Sequence, residues 1–352
     1  MGKSIVIMAG GTGGHVFPAL AVAQYLIDQN WQVSWLGTRK GLESRVVPEQ
    51  GIAIDWLPVA GVRGKGWVAK LKAVFLLLKA CLQAWVILRR RKPDVVLGMG
   101  GFVAGPGGLM AKLLGIPLVI HEQNRVPGTT NRWLAKFAQR VLEAFPDSFN
   151  KKIKAQCTGN PLRKQFMRQA ELATLKTDHN GLNVLVVGGS QGAQALNNAL
   201  PEALAQIKDA VVTHQTGTAM QAQVTQRYAE LAVTADVQAF ITDMAAAYQW
   251  ADLVICRAGA MTVSEVAAMG VPAIFIPLPN AIDDHQVANA KFLGEANASV
   301  TILQKDLDTT NLVTQIQTVR ENLAAMSQAA QRCARLDATA AVAAACITEA
   351  SA

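Results

Sequence analysis

The sequence predicts an α/β protein built from two Rossmann-like, doubly wound domains facing a central cleft. Three observations carry this. Strand-like apolar runs alternate with helix-like stretches from end to end, the pattern of parallel sheets covered by helices on both faces. At 352 residues the chain exceeds the usual size of one core, so two domains are expected. Three of the strand-like runs open straight into glycine-dense loops: Ile5–Ala9 into Gly10-Gly11-Thr12-Gly13-Gly14, Val95–Leu97 into Gly98–Gly108, and Val184–Val187 into Gly188–Ala193.

In the first half the strand signals fall at 4–9, 32–37, 52–58, 94–98, 117–121 and 140–144, each a short run of mainly apolar residues. Segments 17–30, 67–92 and 107–115 between them read as helices. A polar stretch from Lys164 to Asn180 carries no strand signal, and the pattern restarts near residue 182. Strands are then expected at 183–188, 210–215, 236–240, 252–256, 272–276 and 299–303. Helices are expected at 191–208, 218–231, 261–269 and 284–297. The boundaries drawn are 1–160 and 161–334, crossing at Gly159-Asn160-Pro161. The Ala-rich tail, 321–350, is helical by propensity and has no strand partner, so residues from about 335 to 352 are expected to pack on the first domain.

Composition narrows the classes. Apolar residues make up 51% and charged ones 16%, which fits a compact globular chain. Five scattered cysteines without a C-x-x-C pair argue against a disulfide framework or structural zinc and for a reducing compartment. The N-terminus shows no secretory pattern, so the cytosol is expected. The net charge of +8 is local: between Asp55 and Asp94 lie nine basic residues and no acid, and the remaining 24 basic residues face 25 acids.

Glycine lets backbone N–H groups approach a ligand, and a following helix N-terminus adds positive potential, so three such loops point to phosphorylated ligands. A dinucleotide fits poorly. The first loop departs from G-x-G-x-x-G, and Trp35-Leu36-Gly37-Thr38 ends the second strand without the acid that would hold a ribose. Arg39 and Lys40 would suit a 2′-phosphate, which keeps an NADP-dependent oxidoreductase as the lesser alternative. No loop ends in the Gly-Lys-Ser/Thr of a P-loop. In the second half, Cys256–Glu265 follows a strand: Gly259 frees the backbone, and Thr262 is expected to open a helix toward a phosphate. Glu265 would then lie in the first turn, where it either complements the dipole or accepts bonds from two ribose hydroxyls. Asp283–Gln286 with Asn289 presents amides suited to sugar hydroxyls.

Gly10–Pro18 (GGTGGHVFP), Gly98–Gly108, His121–Asn131 (HEQNRVPGTTN), Gly159–Arg163 (GNPLR), Gly188–Ala193 (GGSQGA), Arg257–Glu265 and Asp284–Gln286 together resemble the MurG family of peptidoglycan N-acetylglucosaminyltransferases, glycosyltransferase family 28. The resemblance covers nearly the whole chain. Phe102, Ala104, Met261 and the segment Pro277–Asn280 depart from the usual family residues. The resemblance implies the GT-B fold and transfer of GlcNAc from UDP-GlcNAc, with inversion, to undecaprenyl-diphosphate-linked MurNAc-pentapeptide (lipid I to lipid II). Another GT-B UDP-sugar transferase with a lipid acceptor is the alternative within the class. It further implies association with the anionic cytoplasmic face of the inner membrane and with other cell-wall synthesis proteins, and no cofactor. By match to the family motifs, Thr12, Gly13, Gly14, Asn124, Arg163, Ser190, Ile241, Ala260, Met261, Thr262, Val263, Ser264, Glu265, Gln286 and Asn289 are the substrate-binding positions. Ile241 would meet the uracil edge through its backbone, Glu265 the ribose, Ser190 and the Thr262 region the diphosphate, and Gln286 with Asn289 the GlcNAc hydroxyls.

Inverting transfer needs a base for the acceptor hydroxyl. His15 is the only histidine in a glycine loop, and a histidine titrates near working pH; it could equally bond a phosphate or a carbonyl. Glu122 is the other candidate, unless it anchors its own loop. Loop amides and the helix dipole at Thr262 can stabilise the leaving diphosphate without a metal. Asp306-Leu307-Asp308 matches D-x-D but follows the last strand and reads as a helix start, so no metal site is assigned.

The basic district reads as one helix from Trp67 to Arg90. Trp67, Leu71, Phe75, Leu78, Leu82 and Trp85 share a face, and Lys72, Lys79, Gln83 and Arg90 form a strip beside it. Charges interrupt every apolar run before the roughly 20 residues a membrane span needs. Part of this face is expected in the core; Trp, Phe and Leu bordered by Lys and Arg also suit an interfacial segment, membrane-associating through Trp67, Lys72, Phe75, Lys79, Leu82, Trp85 and Arg90. Charge confined to one helix with few aromatics argues against nucleic acid.

Overall fold

The computed structural model describes residues 2–59, 67–172, 181–188, 193–279 and 284–351, with no side-chain detail for 67–73 and 171–172. Contacts divide the chain into two units, Met1–Arg163 with Arg335–Ala352, and Lys164–Ala334.

The first unit holds strands β1 (Ser4–Met8), β2 (Gln32–Gly37), β3 (Ala53–Trp56), β4 (Val95–Gly98), β5 (Leu118–Glu122), β6 (Arg140–Glu143) and β7 (Gln156–Cys157). They form one parallel sheet in the order β3-β2-β1-β4-β5-β6-β7, with Ile5 in register with Val33 on one side and Val95 on the other. Helices α1 (Gly13–Asp28), α2 (Glu43–Val46), α3 (Trp67–Arg91), α4 (Ala104–Leu113) and α5 (Thr129–Leu134) lie between strands. Alternate residues of β1 face opposite cores. Ile5 and Ile7 pack with Val16, Ala19, Val22 and Leu26 of α1, while Val6 and Met8 pack with Ala84 and Leu88 of α3 and with Ala111 of α4. Such two-sided burial explains why the strands read as continuous apolar runs. Trp35, fully buried, donates its indole N–H to the Ala9 carbonyl at 2.8 Å and so ties β2 to the first glycine loop.

The second unit holds β8 (Leu182–Val187), β9 (Ala210–Gln215), β10 (Thr234–Gln238), β11 (Leu253–Cys256), β12 (Ala273–Phe275) and β13 (Ser299–Thr301). Their parallel order, β10-β9-β8-β11-β12-β13, is the doubly wound one, with the crossover reversing beside β8. Helices α6 (Lys164–Leu172), α7 (Gln194–Leu204), α8 (Gln221–Glu230), α9 (Met244–Trp250), α10 (Ala260–Met269), α11 (His285–Gly294), α12 (Thr309–Glu321) and α13 (Leu323–Cys333) complete it.

The Lys164–Asn180 stretch, which shows no strand signal, begins with α6; its Phe166 is fully buried, 5.9 Å from the Tyr248 ring of α9. The Ala-rich tail is broken rather than continuous. After α13 the chain turns at Ala334 and resumes as α14 (Ala338–Glu349), whose Val342, Ala343 and Cys346 are fully buried in the first unit beside α1. Arg140 and Glu349 pair at 2.6 Å across that contact.

In the second core, His214 donates from Nε2 to Asn197 Oδ1 (3.1 Å) and accepts at Nδ1 from the Tyr228 hydroxyl (3.0 Å). Asn197 is oriented by its own Nδ2 bond to the Thr216 carbonyl. Burial disfavours the charged imidazole and pushes the His214 pKa down from 6.5 to about 3. Its contribution to stability is therefore complete above pH 6.5 and is lost as pH falls toward 3, at up to about 1.4 kcal/mol per pH unit. Urea unfolding at pH 7, 6 and 5 should show this as a falling midpoint. The decline should be shallower in His214→Gln, and equal slopes would refute the assignment.

Candidate active site

The first glycine loop joins β1 to α1. Thr12 is the exposed N-cap in extended geometry, and its carbonyl accepts the N–H groups of His15 (3.1 Å) and Val16 (3.2 Å). Gly13, Gly14 and His15 are half-buried in the first turn. The loop is held from below by Glu43, a fully buried acid that sequence reading passed over. Its Oε2 accepts from Gly11 N–H at 2.9 Å, and its Oε1 from the Thr38 N–H (2.8 Å) and hydroxyl (2.7 Å). Arg39, the suggested 2′-phosphate ligand, instead lies over the Trp56 ring at 5.2 Å.

The second glycine loop, after β4, packs onto the first. Gly100 (φ +95°) lies against the His15 ring: a Cβ there would sit 2.9 Å from Cε1 and Nδ1. At Gly101 (φ +79°) a Cβ would sit 2.4 Å from the Gly10 carbonyl oxygen. Both positions demand glycine for conformation and for space.

The His121–Asn124 segment ends β5. Glu122 is 1% exposed and both its oxygens are taken. Oε1 accepts from the Asn124 N–H (3.0 Å) and Nδ2 (3.3 Å); Oε2 accepts from the Gly128 N–H (3.0 Å) and Asn131 Nδ2 (2.9 Å). Of the two roles open to it, the structure places Glu122 as the anchor of its loop. Asn124, half-buried, is the residue it positions. Gln123, fully buried and passed over in the sequence, reaches the first loop: its Oε1 is 2.8 Å from His15 Nδ1, and its Nε2 is 3.0 Å from His121 Nδ1. Arg163 stacks its guanidinium on the Phe17 ring of α1 at 5.3 Å.

In the second unit the candidate residues surround the ends of β10, β11 and β12. Ser190 lies outside the described residues. Ile241 is 5% exposed, and its N–H already donates to Gln215 Oε1 at 2.9 Å, so a ligand taking that N–H has to displace the Gln215 amide. Helix α10 starts at Ala260, not Thr262, because Gly259 is the N-cap in extended geometry (φ −65°, ψ 146°). Glu265 therefore lies beyond the first turn, which contains no acid, and complementing the helix dipole does not account for it. Ala260 and Val263 are buried, the Val263 N–H bonds the Gly259 carbonyl at 2.9 Å, and the Ser264 hydroxyl bonds the Ala260 carbonyl at 3.0 Å. Met261, Thr262, Ser264 and Glu265 are the half-buried members of the set.

Asn289 is fully buried, and its Nδ2 donates to the Ala258 carbonyl at 3.2 Å, which supports the β11–α10 loop. Because α11 begins at His285, position 289 falls on the inward side with Ala290 and Leu293. Gln286 is half-buried, and its Oε1 accepts from the Leu278 N–H at 2.9 Å. Arg257 is likewise structural, donating to the carbonyls of Ile276 (2.9 Å) and Pro277 (3.2 Å) and to Gln304 Oε1 (2.7 Å). Asp308 of the D-x-D sequence caps α12, accepting from the Asn311 N–H at 2.8 Å.

Helix α3 includes Trp67 and Lys72, whose side chains lie outside the described residues. The face expected to be partly core is turned outward. Phe75 is 68% exposed, Leu78 59% and Leu82 70%, together with Val74, Leu77 and Val86; Ala80, Ala84, Ile87 and Leu88 are the residues that meet the sheet. Lys79 is exposed, Trp85 is half-buried with Arg89 over its ring at 5.9 Å, and Arg90 pairs with Asp55 alongside Arg91. Among the described residues, no helix is long and apolar enough to cross a membrane.

Residues 5–143 match the glycosyltransferase family 28 N-terminal domain, and residues 183–344 match the glycosyltransferase family 28 C-terminal domain. The chain is 58% identical, over 100% of both chains, to the Methylococcus capsulatus UDP-N-acetylglucosamine–N-acetylmuramyl-(pentapeptide) pyrophosphoryl-undecaprenol N-acetylglucosamine transferase. It is 50% identical to the Tolumonas auensis protein of the same description, over 96% of this chain and 97% of that one. The crystal structure of Acinetobacter baumannii MurG matches with a TM-score of 0.87 at 44% identity, covering 98% of this chain and 99% of that one. With both halves matched and these identities spanning the full length, the chain belongs to glycosyltransferase family 28, among the MurG-type transferases.

Proposed function

We propose that the chain is an inverting N-acetylglucosaminyltransferase that moves GlcNAc from UDP-GlcNAc to the 4-hydroxyl of undecaprenyl-diphosphate-linked MurNAc-pentapeptide, converting lipid I to lipid II. The observation that carries this reading is the 58% identity over the whole of both chains to a transferase of that description. The site chemistry agrees with it. Glycine loops and helix starts at the carboxyl ends of parallel strands suit a diphosphate.

His15 takes the proton of the acceptor 4-hydroxyl as that oxygen attacks the anomeric carbon. The bond to UDP breaks as the new one forms, its electron pair leaves on the β-phosphate oxygen, and the configuration inverts. The N–H groups of Met261 and Thr262 in α10 receive the developing charge, with Ser190 as a further donor, and in the first unit the Thr12–Gly14 turn, Asn124 and Arg163 are substrate-binding positions. Glu265 accepts from the ribose hydroxyls, Ile241 meets the uracil through its backbone once Gln215 yields, and Gln286 meets the GlcNAc hydroxyls. Glu122 serves the reaction by holding Asn124. The acceptor's lipid stays in the bilayer, and the outward face of α3 docks the enzyme on the anionic cytoplasmic surface of the inner membrane, as a peripheral protein.

The direct test is transfer of labelled GlcNAc to a lipid I analogue, with EDTA and NADPH as controls; turnover that survives EDTA and consumes no NADPH is expected. In that assay His15→Ala should lower kcat by about 10²–10⁴-fold with little change in donor KM. A weaker donor KM at unchanged kcat would instead make His15 a phosphate contact.

Glu265→Ala should raise the UDP-GlcNAc KM strongly, a loss of roughly 1.5–3 kcal/mol of binding as two hydroxyls lose a charged acceptor. An unchanged donor affinity would remove Glu265 from the ribose.

Vesicle flotation tests the membrane face. Phe75→Ser with Leu82→Ser should abolish most binding to anionic vesicles, Lys79→Gln should weaken it, and a soluble short-chain acceptor should still be used. Equal binding to neutral and anionic vesicles would place the contact elsewhere.

A further inference from the structure

His15 is joined to a chain of buried hydrogen bonds whose direction is fixed from its far end. The Gly159 carbonyl oxygen can only accept, so His121 Nε2, 2.9 Å away, carries the hydrogen. His121 is completely buried, which pushes its pKa down to about 4, so the ring is neutral and Nδ1 holds a lone pair. Gln123 Nε2 lies 3.0 Å from that lone pair and 3.2 Å from the His121 carbonyl oxygen. Both are acceptors, so the amide has one orientation, with Nε2 toward His121 and Oε1 toward His15 Nδ1 at 2.8 Å. An amide oxygen only accepts. The His15 hydrogen therefore sits on Nδ1 and the lone pair on Nε2.

We propose that Gln123, backed by His121 and the Gly159 carbonyl, is a positioning residue that locks His15 in the Nδ1–H tautomer with the Nε2 lone pair outward. The inference rests on the reading of His15 as the base. A neutral histidine side chain free in water favours the opposite, Nε2–H tautomer, which would turn N–H toward the acceptor hydroxyl and leave no base. The second nitrogen's partner decides which form is present. An amide in this place has a further consequence. A carboxylate beside Nδ1 would stabilise the imidazolium and hold the proton once taken, whereas the neutral Gln123 oxygen orients the ring without trapping the charge. The rest of the shell serves the same alignment: Asn160 Nδ2 donates to the Gln123 carbonyl at 3.1 Å, Asn131 Nδ2 to the His121 carbonyl at 3.1 Å, and Gly100 leaves room for the ring.

Ring-¹⁵N histidine NMR on the full chain reads the tautomer directly, with the His15 signals identified by their loss in His15→Gln. At pH 8 the wild-type protein should show Nδ1 protonated and Nε2 bare. Gln123→Met should return His15 to a mixture dominated by Nε2–H and lower kcat about 10- to 100-fold, the scale of outer-shell orientation effects, with the UDP-GlcNAc KM within about 2-fold. Gln123→Glu keeps an acceptor at Nδ1. It should preserve the Nδ1 proton and move the acid limb of the rate profile to higher pH, which a purely structural role for Gln123 would not do. Wild-type His15 with its hydrogen on Nε2, or an unchanged tautomer in Gln123→Met, overturns the proposal. These spectra are independent of turnover: an active His15→Ala enzyme would refute the base while leaving the tautomer result to be judged on its own.

Discussion

The first half of the site depends on a backbone contact that only glycine permits. Gly101 passes so close to Gly10 that a Cβ would lie 2.4 Å from its carbonyl oxygen, and Gly100 does the same to the His15 ring at 2.9 Å. This brings the loops after β1 and β4 into van der Waals contact directly beyond the strand ends, where the Met99 N–H donates to the Met8 carbonyl at 2.8 Å. The parallel order β1-β4-β5 sets three loops side by side, so Gln123 from β5 meets a histidine that begins α1. A side chain at either glycine would push the loops apart and shift the imidazole, although neither glycine has chemistry of its own.

Buried acids complete the scaffold. Glu43, Glu122 and Glu143 are all 5% exposed or less, and each accepts from N–H groups in the loops that follow strands. Those N–H groups have left the sheet ladder and need partners. A carboxylate offers about four acceptor positions in one compact group, which suits a tight turn better than water does. To act on a substrate, Glu122 would have to surrender bonds that hold Asn124, Gly128 and Asn131. The same loop that presents Asn124 would then loosen. Loop anchoring by acids is thus consistent with the proposal that leaves proton transfer to His15.

Much of the fold was legible because buried parallel strands leave continuous apolar runs and their ends leave glycine. Among the described residues the sequence reading found twelve of the strands to within a few residues; β7, two residues long, left no run to see. The short helices α2, α5 and α9 were missed because four to seven residues show no period. Sharing a face is a local property, and the periodicity of α3 displayed it; which face meets the sheet is not local. There, Ala80 and Ala84 form the buried side, and the larger Phe75, Leu78 and Leu82 are left outside. Glu43 and Gln123 were invisible for a related reason. Their partners lie 32 and 108 residues away, and no spacing rule connects them.

The outward face of α3 sets which force would dominate at a membrane. Of the basic residues at its C-terminal end, Arg90 and Arg91 share Asp55 and Arg89 lies over Trp85, so part of the local charge is already engaged within the protein. Each remaining cation near an anionic surface contributes about 1 kcal/mol, and salt screens it. Six large apolar side chains from Val74 to Val86 are half or more exposed, and each gives about 1.5–3 kcal/mol when fully buried. Insertion of even half that area would outweigh two or three lysines. Added salt should then reduce vesicle binding and leave a substantial salt-resistant remainder, carried by Phe75, Leu78 and Leu82. Binding that vanishes at about 1 M salt, where the screening length falls to about 3 Å, would mean that charge holds the contact and the apolar face stays in water.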